Sequence, residues 1–185
     1  DTIVVFTADH GEFLGGHGLL RKPSIHFDEV MRVPLLLRAP GVQSRRVEGL
    51  VELVDLYPTL LGLLGMSANP GVQGQDLAAA LRQGEPIGRE DVYSDMFDMA
   101  PQVAMEPHGP YAGILTLRSE DWKLIVYPDA GPEYGLLFHL RDDPQEGNNL
   151  YADPACAQIR EQLLWRLLAR HHQQVDPLPL RLTQW

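Results

Sequence analysis

The sequence holds a single cysteine, Cys156. No disulfide can therefore form within the chain, and a zinc site built on several thiolates is excluded. Long apolar runs are missing as well. Candidates such as residues 60–66 are broken by glycine and fall far short of the roughly 18 residues that a membrane-spanning helix needs. Positive charge is scarce: 15 Lys and Arg face 25 Asp and Glu, for a formal net charge of −10. Nucleic acid is excluded as a partner on that balance, although a bound cation can still reverse the field locally for an anionic substrate. Internal repeats and low-complexity tracts are also lacking. The chain opens on Asp1 and runs straight into apolar residues, with no initiator Met and no signal-peptide pattern. The expectation is a fragment of a longer protein.

What is present reads as α/β. Residues 2–7 are β-branched and aromatic without alternation, which suits a strand buried on both faces of a parallel sheet. A second short apolar run covers residues 34–38. Asp55 is placed to cap a helix reaching about Leu64, with Pro58 tolerated in its first turn and Gly65 stopping it. A further short helix is expected over residues 76–82. The texture then changes to short strand-like runs at 91–97, 113–118, 122–127 and 136–140, a spacing that favours an antiparallel sheet. Asp153-Pro154 signals a helix start. Ile159, Leu163, Leu164, Leu167 and Leu168 recur on one face of that helix, to about Arg170. The tail, residues 176–185, is expected to lie extended. Two domains follow: residues 1–105, part of an α/β catalytic domain, and residues 106–185, a small subdomain of antiparallel strands, one amphipathic helix and the tail.

Chemistry concentrates near the start. Asp9 and His10 sit where the opening strand ends, and open α/β sheets bind ligands beyond the carboxyl ends of their strands. A carboxylate beside an imidazole makes a plausible first shell for a divalent cation. The plainer alternative is a turn residue followed by a histidine bonded to backbone. Lys22 lies beyond a glycine-rich loop, and Gly15, Gly16 and Gly18 permit that loop to return over the strand end. His17, inside the loop, is a structural or substrate-contacting candidate. His171-His172 are expected to face solvent or a helix C-terminus, and residues 141–146 to form an acidic turn.

Residues 7–22, Thr-Ala-Asp-His-Gly-Glu-Phe-Leu-Gly-Gly-His-Gly-Leu-Leu-Arg-Lys, resemble the second signature region of the sulfatase family, within the alkaline phosphatase superfamily. The stretches 27–41 (with Arg32-Val33-Pro34-Leu35 and Pro40-Gly41) and 54–61 resemble it too. So do Trp122-Lys123-Leu124 and residues 137–150, which are similar to the family's C-terminal subdomain. The pattern is nearest to choline-sulfatase-like and phosphonate monoester hydrolase-like members. The resemblance implies the C-terminal part of an alkaline-phosphatase-like sheet with flanking helices, plus the small subdomain.

It also implies roles. Asp9 and His10 correspond to two ligands of one divalent cation, with Ca2+ preferred and Mn2+ the alternative. Lys22 corresponds to the catalytic lysine that contacts the sulfate and the bridging oxygen, and His17 is a weaker substrate-binding candidate. The formylglycine nucleophile of the family is expected upstream: Cys156 lacks the Pro-Ser-Arg that follows the modified cysteine. The implied activity is sulfuric ester hydrolysis on a small-molecule or glycan sulfate ester. Phosphonate monoester or phosphodiester hydrolysis is the first alternative, and a non-catalytic fragment or interaction module the second. The oligomeric state is left open.

Overall fold

The computed structural model describes residues 1–22, 25–97 and 113–174. Ten regular elements are used below: strand β1 (Val4–Thr7), helix α1 (Asp28–Met31), β2 (Leu35–Arg38), α2 (Leu56–Leu63), α3 (Ala78–Gln83), β3 (Asp91–Phe97), β4 (Gly113–Ser119), β5 (Trp122–Val126), β6 (Gly135–His139) and α4 (Ala157–Gln173). The expected strands and helices form close to where the residue patterns place them.

The centre is a four-stranded antiparallel sheet in the order β3-β4-β5-β6. Its strands alternate strictly, and the two faces carry different cargo. Leu115, Leu117, Leu124 and Leu137 point to one face, where they meet Leu163 and Leu167 of α4 and Tyr151. Each fully buried leucine is worth about 1.5–3 kcal/mol relative to exposure. The expected start signal opens a 3-10 turn, Pro154–Cys156, that runs into α4: Pro154 occupies its first position, and the Asp153 carboxylate accepts the Ala155 N–H at 2.8 Å. Leu168, expected on the buried stripe, is instead 52% exposed, because the stripe facing the sheet is narrower than the full apolar set. Ile114, Ile125 and Phe138 point to the opposite face. They pack against Phe13, Phe27 and Val30 from the first part of the chain.

The opening strand differs from expectation. β1 pairs with β2 antiparallel, with Val5 opposite Leu37 and Phe6 opposite Leu36, and its side chains are not buried on both faces: Phe6 and Leu36 are each 61% exposed. The reversal follows from the connection, since the loop after Thr7 turns back and delivers β2 to the end where β1 stops. Asp55 is a second correction. It lies fully buried ahead of α2 but makes no side-chain cap to that helix. Its carboxylate instead accepts Glu52 N–H at 2.8 Å and Gln75 N–H at 2.7 Å, and it pairs with both Arg89 nitrogens at 2.5 and 2.8 Å. The short 3-10 turn Leu53–Asp55 ahead of α2 turns the carboxylate inward. The expected domain division and the expected extended tail fall on residues outside those described. Among the described residues, no helix is long and apolar enough to cross a membrane.

Candidate functional site

β1 ends at Thr7, and the next residues carry the candidate ligands. Asp9 is exposed. Its Oδ1 accepts the His10 backbone N–H at 3.0 Å, while its Oδ2 lies 3.5 Å from His10 Nε2. The two side chains therefore converge, although neighbours in a regular strand would diverge. Gly11 makes this turn possible. Its N–H donates to the Val30 carbonyl at 2.7 Å, and a Cβ at this position would lie 1.9 Å from the Glu29 carbonyl oxygen. No other residue type fits so close an approach.

The imidazole of His10 is oriented by the same turn. Its Nδ1 lies 2.7 Å from the Gly11 carbonyl oxygen. A carbonyl only accepts, so Nδ1 carries the proton, and in the neutral ring Nε2 presents a lone pair. That lone pair faces the Asp9 carboxylate. A proton or a metal cation between Nε2 and the carboxylate satisfies both, and a histidine whose other nitrogen donates to a carbonyl is the usual arrangement of a metal ligand. Backbone hydrogen bonds from the His10 N–H and from its own N–H hold the Asp9 carboxyl below its ordinary pKa, with smaller help from the charges of His10 and Lys22. The carboxylate therefore stays ionised, as a ligand must. On these observations the pair fits a divalent cation. Among the described residues, no group of three or more His, Cys, Asp or Glu side chains could hold a metal ion, so Asp9 and His10 alone would not make a complete shell.

The glycine loop closes on itself. Gly15 adopts φ 105° and donates to the Leu19 carbonyl at 2.8 Å, which closes the return. Leu14 and His17 also take positive φ, 49° each. His17 turns toward the protein: its ring stacks on Phe27 with centroids 4.1 Å apart, and Nε2 lies 3.3 Å from Glu29 Oε1. Lys22, at the end of the loop, is exposed. Its effect on Asp9 is electrostatic.

Residues that the sequence reading missed surround α1. Lys123 is fully buried, with Nζ 2.7 Å from Asp28 Oδ1 and 2.8 Å from Glu146 Oε1. Glu146 Oε2 accepts the Asp28 backbone N–H at 2.6 Å, and Arg118 Nε stands 3.4 Å from Asp28. Burial pushes the Asp28 carboxyl up, but Lys123, Arg118 and Arg32 outweigh it and hold it below its ordinary value. For Glu146 burial wins and the pKa rises, with Lys123 offsetting it only in part. His26 is buried beside them. Its Nδ1 lies 2.8 Å from Thr116 Oγ1, and burial, followed by the Lys123 charge, lowers its pKa to about 4. One signal for Lys123 was available: alternation in β5 puts it on the same face as buried Ile125. Glu146, at φ 54° in a turn, carried none.

Residues 15–174 match the family model described as N-sulphoglucosamine sulphohydrolase, C-terminal. The chain belongs to the sulfatase family of the alkaline phosphatase superfamily. Asp9 and His10 lie just ahead of the matched sulfatase segment, and Lys22 within it. Similar proteins include the multifunctional alkaline phosphatase superfamily protein PehA of Trinickia caryophylli, 32% identical over 90% of this chain and 34% of its own length. Arylsulfatase K of Mus musculus is 35% identical over 80% of this chain and 27% of its own length. Among solved structures, the phosphonate monoester hydrolase of Agrobacterium radiobacter superposes with a TM-score of 0.80 at 32% identity, over 95% of this chain and 36% of that one. A second, in complex with D-glucosamine-2-N,6-O-disulfate, superposes at 0.74 and 24% identity over 98% of this chain and 36% of that one, and shares the fold. This sulfatase-family chain thus spans about a third of the length of the relatives it matches.

Proposed function

We propose that this chain supplies part of the active site of a sulfuric ester hydrolase: Asp9 and His10 as ligands of one divalent cation, and Lys22 as the cation at the scissile bridge. The observation that carries this reading is the convergence of the Asp9 carboxylate and His10 Nε2 at 3.5 Å, with Nδ1 committed to the Gly11 carbonyl. A bound cation would neutralise the non-bridging oxygens of the ester. Calcium is the first candidate. Manganese is the second, because an imidazole ligand favours it. The remaining ligands and the nucleophile are assigned to residues outside these 185.

The residues of this chain have separable tasks. Asp9 stays ionised and brings negative charge to the metal. The Gly11 carbonyl keeps His10 in the tautomer whose Nε2 can ligate. Lys22 places positive charge beside the leaving oxygen, where negative charge builds as the S–O bond breaks, and a fixed donor of this kind is worth about 3–4 kcal/mol of barrier. His17 stiffens the return loop through Phe27 and Glu29 rather than reaching the ester.

Phosphonate monoester or phosphodiester hydrolysis is the second reading, favoured by the 32% identity and TM-score of 0.80 to a phosphonate monoester hydrolase. A sulfated aminosugar ester is one substrate class to try, because a protein of the same fold is complexed with one. The test is a paired assay on the full-length protein with aryl sulfate and phosphonate monoester substrates, for the native protein and for Asp9→Ala, His10→Ala and Lys22→Ala. Lys22→Ala is expected to cost about a hundredfold or more in turnover, and the two ligand variants are expected to weaken divalent-cation binding. Unchanged cation affinity in both ligand variants, or a Lys22→Ala loss below tenfold, would sink the assignment.

A further inference from the structure

We propose that Lys123 is a positioning residue for the metal pair: with Glu146 it fixes Asp28 at the start of α1, and α1 in turn fixes Gly11 and the His10 imidazole. The inference rests on the metal-site reading above. Each link is short. Asp28 is held at two points, its carboxylate by Lys123 at 2.7 Å and its backbone N–H by Glu146 at 2.6 Å. Helix α1 has four residues and no side-chain cap, too little to be stable alone, so its placement is set by the packing of Val30 on the sheet and by what grips its first residue. Two residues on, the Val30 carbonyl accepts the Gly11 N–H at 2.7 Å, and the Glu29 carbonyl stands where a Gly11 Cβ would be. Gly11 then accepts from His10 Nδ1 at 2.7 Å. Glu29 adds a second tie, to His17 in the return loop, at 3.3 Å.

Cohesion alone does not call for such a device. Two buried ionic groups and a partly buried third are costly to desolvate, and apolar residues of similar volume commonly hold an interface as well or better. Apolar packing is non-directional, however. It would join the first part of the chain to the sheet without setting the rotation of α1 about its axis, on which the direction of the Val30 carbonyl depends. The ion triad specifies that rotation from β5, across 95 residues of sequence.

The test uses the full-length protein and isosteric variants, Asp28→Asn and Glu146→Gln, which keep shape and most hydrogen bonds. Binding of Mn2+ and of Ca2+ alone is measured by calorimetry, and the protonation site of the metal-free His10 ring by its 15N shifts. Partners that orient a ligand from outside the first shell typically change metal affinity by about 10–100-fold. Asp28→Asn is expected to weaken both cations about tenfold or more and to mix the His10 tautomers. Asp91→Asn, which weakens the unrelated Arg166 contact at 2.5 Å, serves as a control of similar stability loss and is expected to leave both readouts within twofold of native. Folded Asp28→Asn and Glu146→Gln proteins with native affinity and a native His10 ring would overturn the positioning role. So would failure of both to fold, since the triad would then be a folding determinant. If Asp9→Ala and His10→Ala leave cation affinity unchanged, the metal-site reading fails first and this inference with it. If those two abolish binding while Asp28→Asn and Glu146→Gln do not, only the positioning role is lost.

Discussion

The two faces of the four-stranded sheet solve the same burial problem with different chemistry. One is covered by α4 and is almost wholly apolar, with leucine against leucine. The other is covered by the loop and short helix that follow the candidate ligands. It mixes Phe13, Phe27 and Val30 with a buried lysine, two carboxylates and a neutral histidine. An apolar face tolerates small shifts, since dispersion and hydration depend weakly on angle. A face built on ion pairs and hydrogen bonds does not. The directional chemistry lies on the side that carries Asp9 and His10.

The comparison can be broken most severely on the polar face. Lys123→Ala leaves Glu146 buried without its counter-ion and Asp28 with Arg118 alone at 3.4 Å, and is expected to cost about 3–5 kcal/mol, read from urea unfolding. Replacing Lys123, Asp28 and Glu146 together by apolar residues is expected to cost far less, which would separate cohesion from orientation. On the apolar face, Leu163→Ala is expected to cost about 2–4 kcal/mol, set by how far α4 can close on the cavity, with cation affinity unchanged.

A pH titration separates the faces without mutation. Unfolded, the His26 imidazole takes up a proton near its ordinary 6.5; folded, it does so only at about 4. The unfolded state therefore binds the proton first. The contribution of neutral His26 is complete above pH 6.5 and is lost as the pH falls toward 4, at a cost of roughly 3 kcal/mol. His26→Asn is expected to flatten that part of the stability curve. Asp28, held below its ordinary value of 3.8, takes effect only at lower pH, so the two windows are distinguishable. The smallest effect belongs to the start of α4: Asp153→Ala removes the acceptor of the Ala155 N–H and is expected to cost about 1 kcal/mol, measured as a modest drop in melting temperature.

Local pattern carried much of the fold. Short apolar runs between turn residues, at 113–118 and 136–140, marked real strands, and the spacing of Leu163 and Leu167, with Asp153-Pro154 ahead of them, marked α4. These features arise within a few residues of chain, where backbone geometry dictates which side chains share a face. Asp9 and His10 stood out for the same reason, as neighbours at a strand end. The exposed antiparallel pairing of β1 did not, because a continuous apolar run specifies that a strand is sticky, not which neighbour it finds. Asp55 misled similarly: an Asp ahead of a helix reads as a cap, yet Arg89, 34 residues on, takes its carboxylate.

By itself, the sequence determined periodicity, caps and the adjacency of a carboxylate and an imidazole, all of which depend on spacing along the backbone. Only the tertiary structure decided that Asp28, Lys123 and Glu146 meet, that His26 stays neutral, and that Gly11 lies hard against α1. Charge–charge energy depends on separation in space and on exclusion of water. Neither quantity is defined for residues 95 and 118 positions apart until the chain has folded.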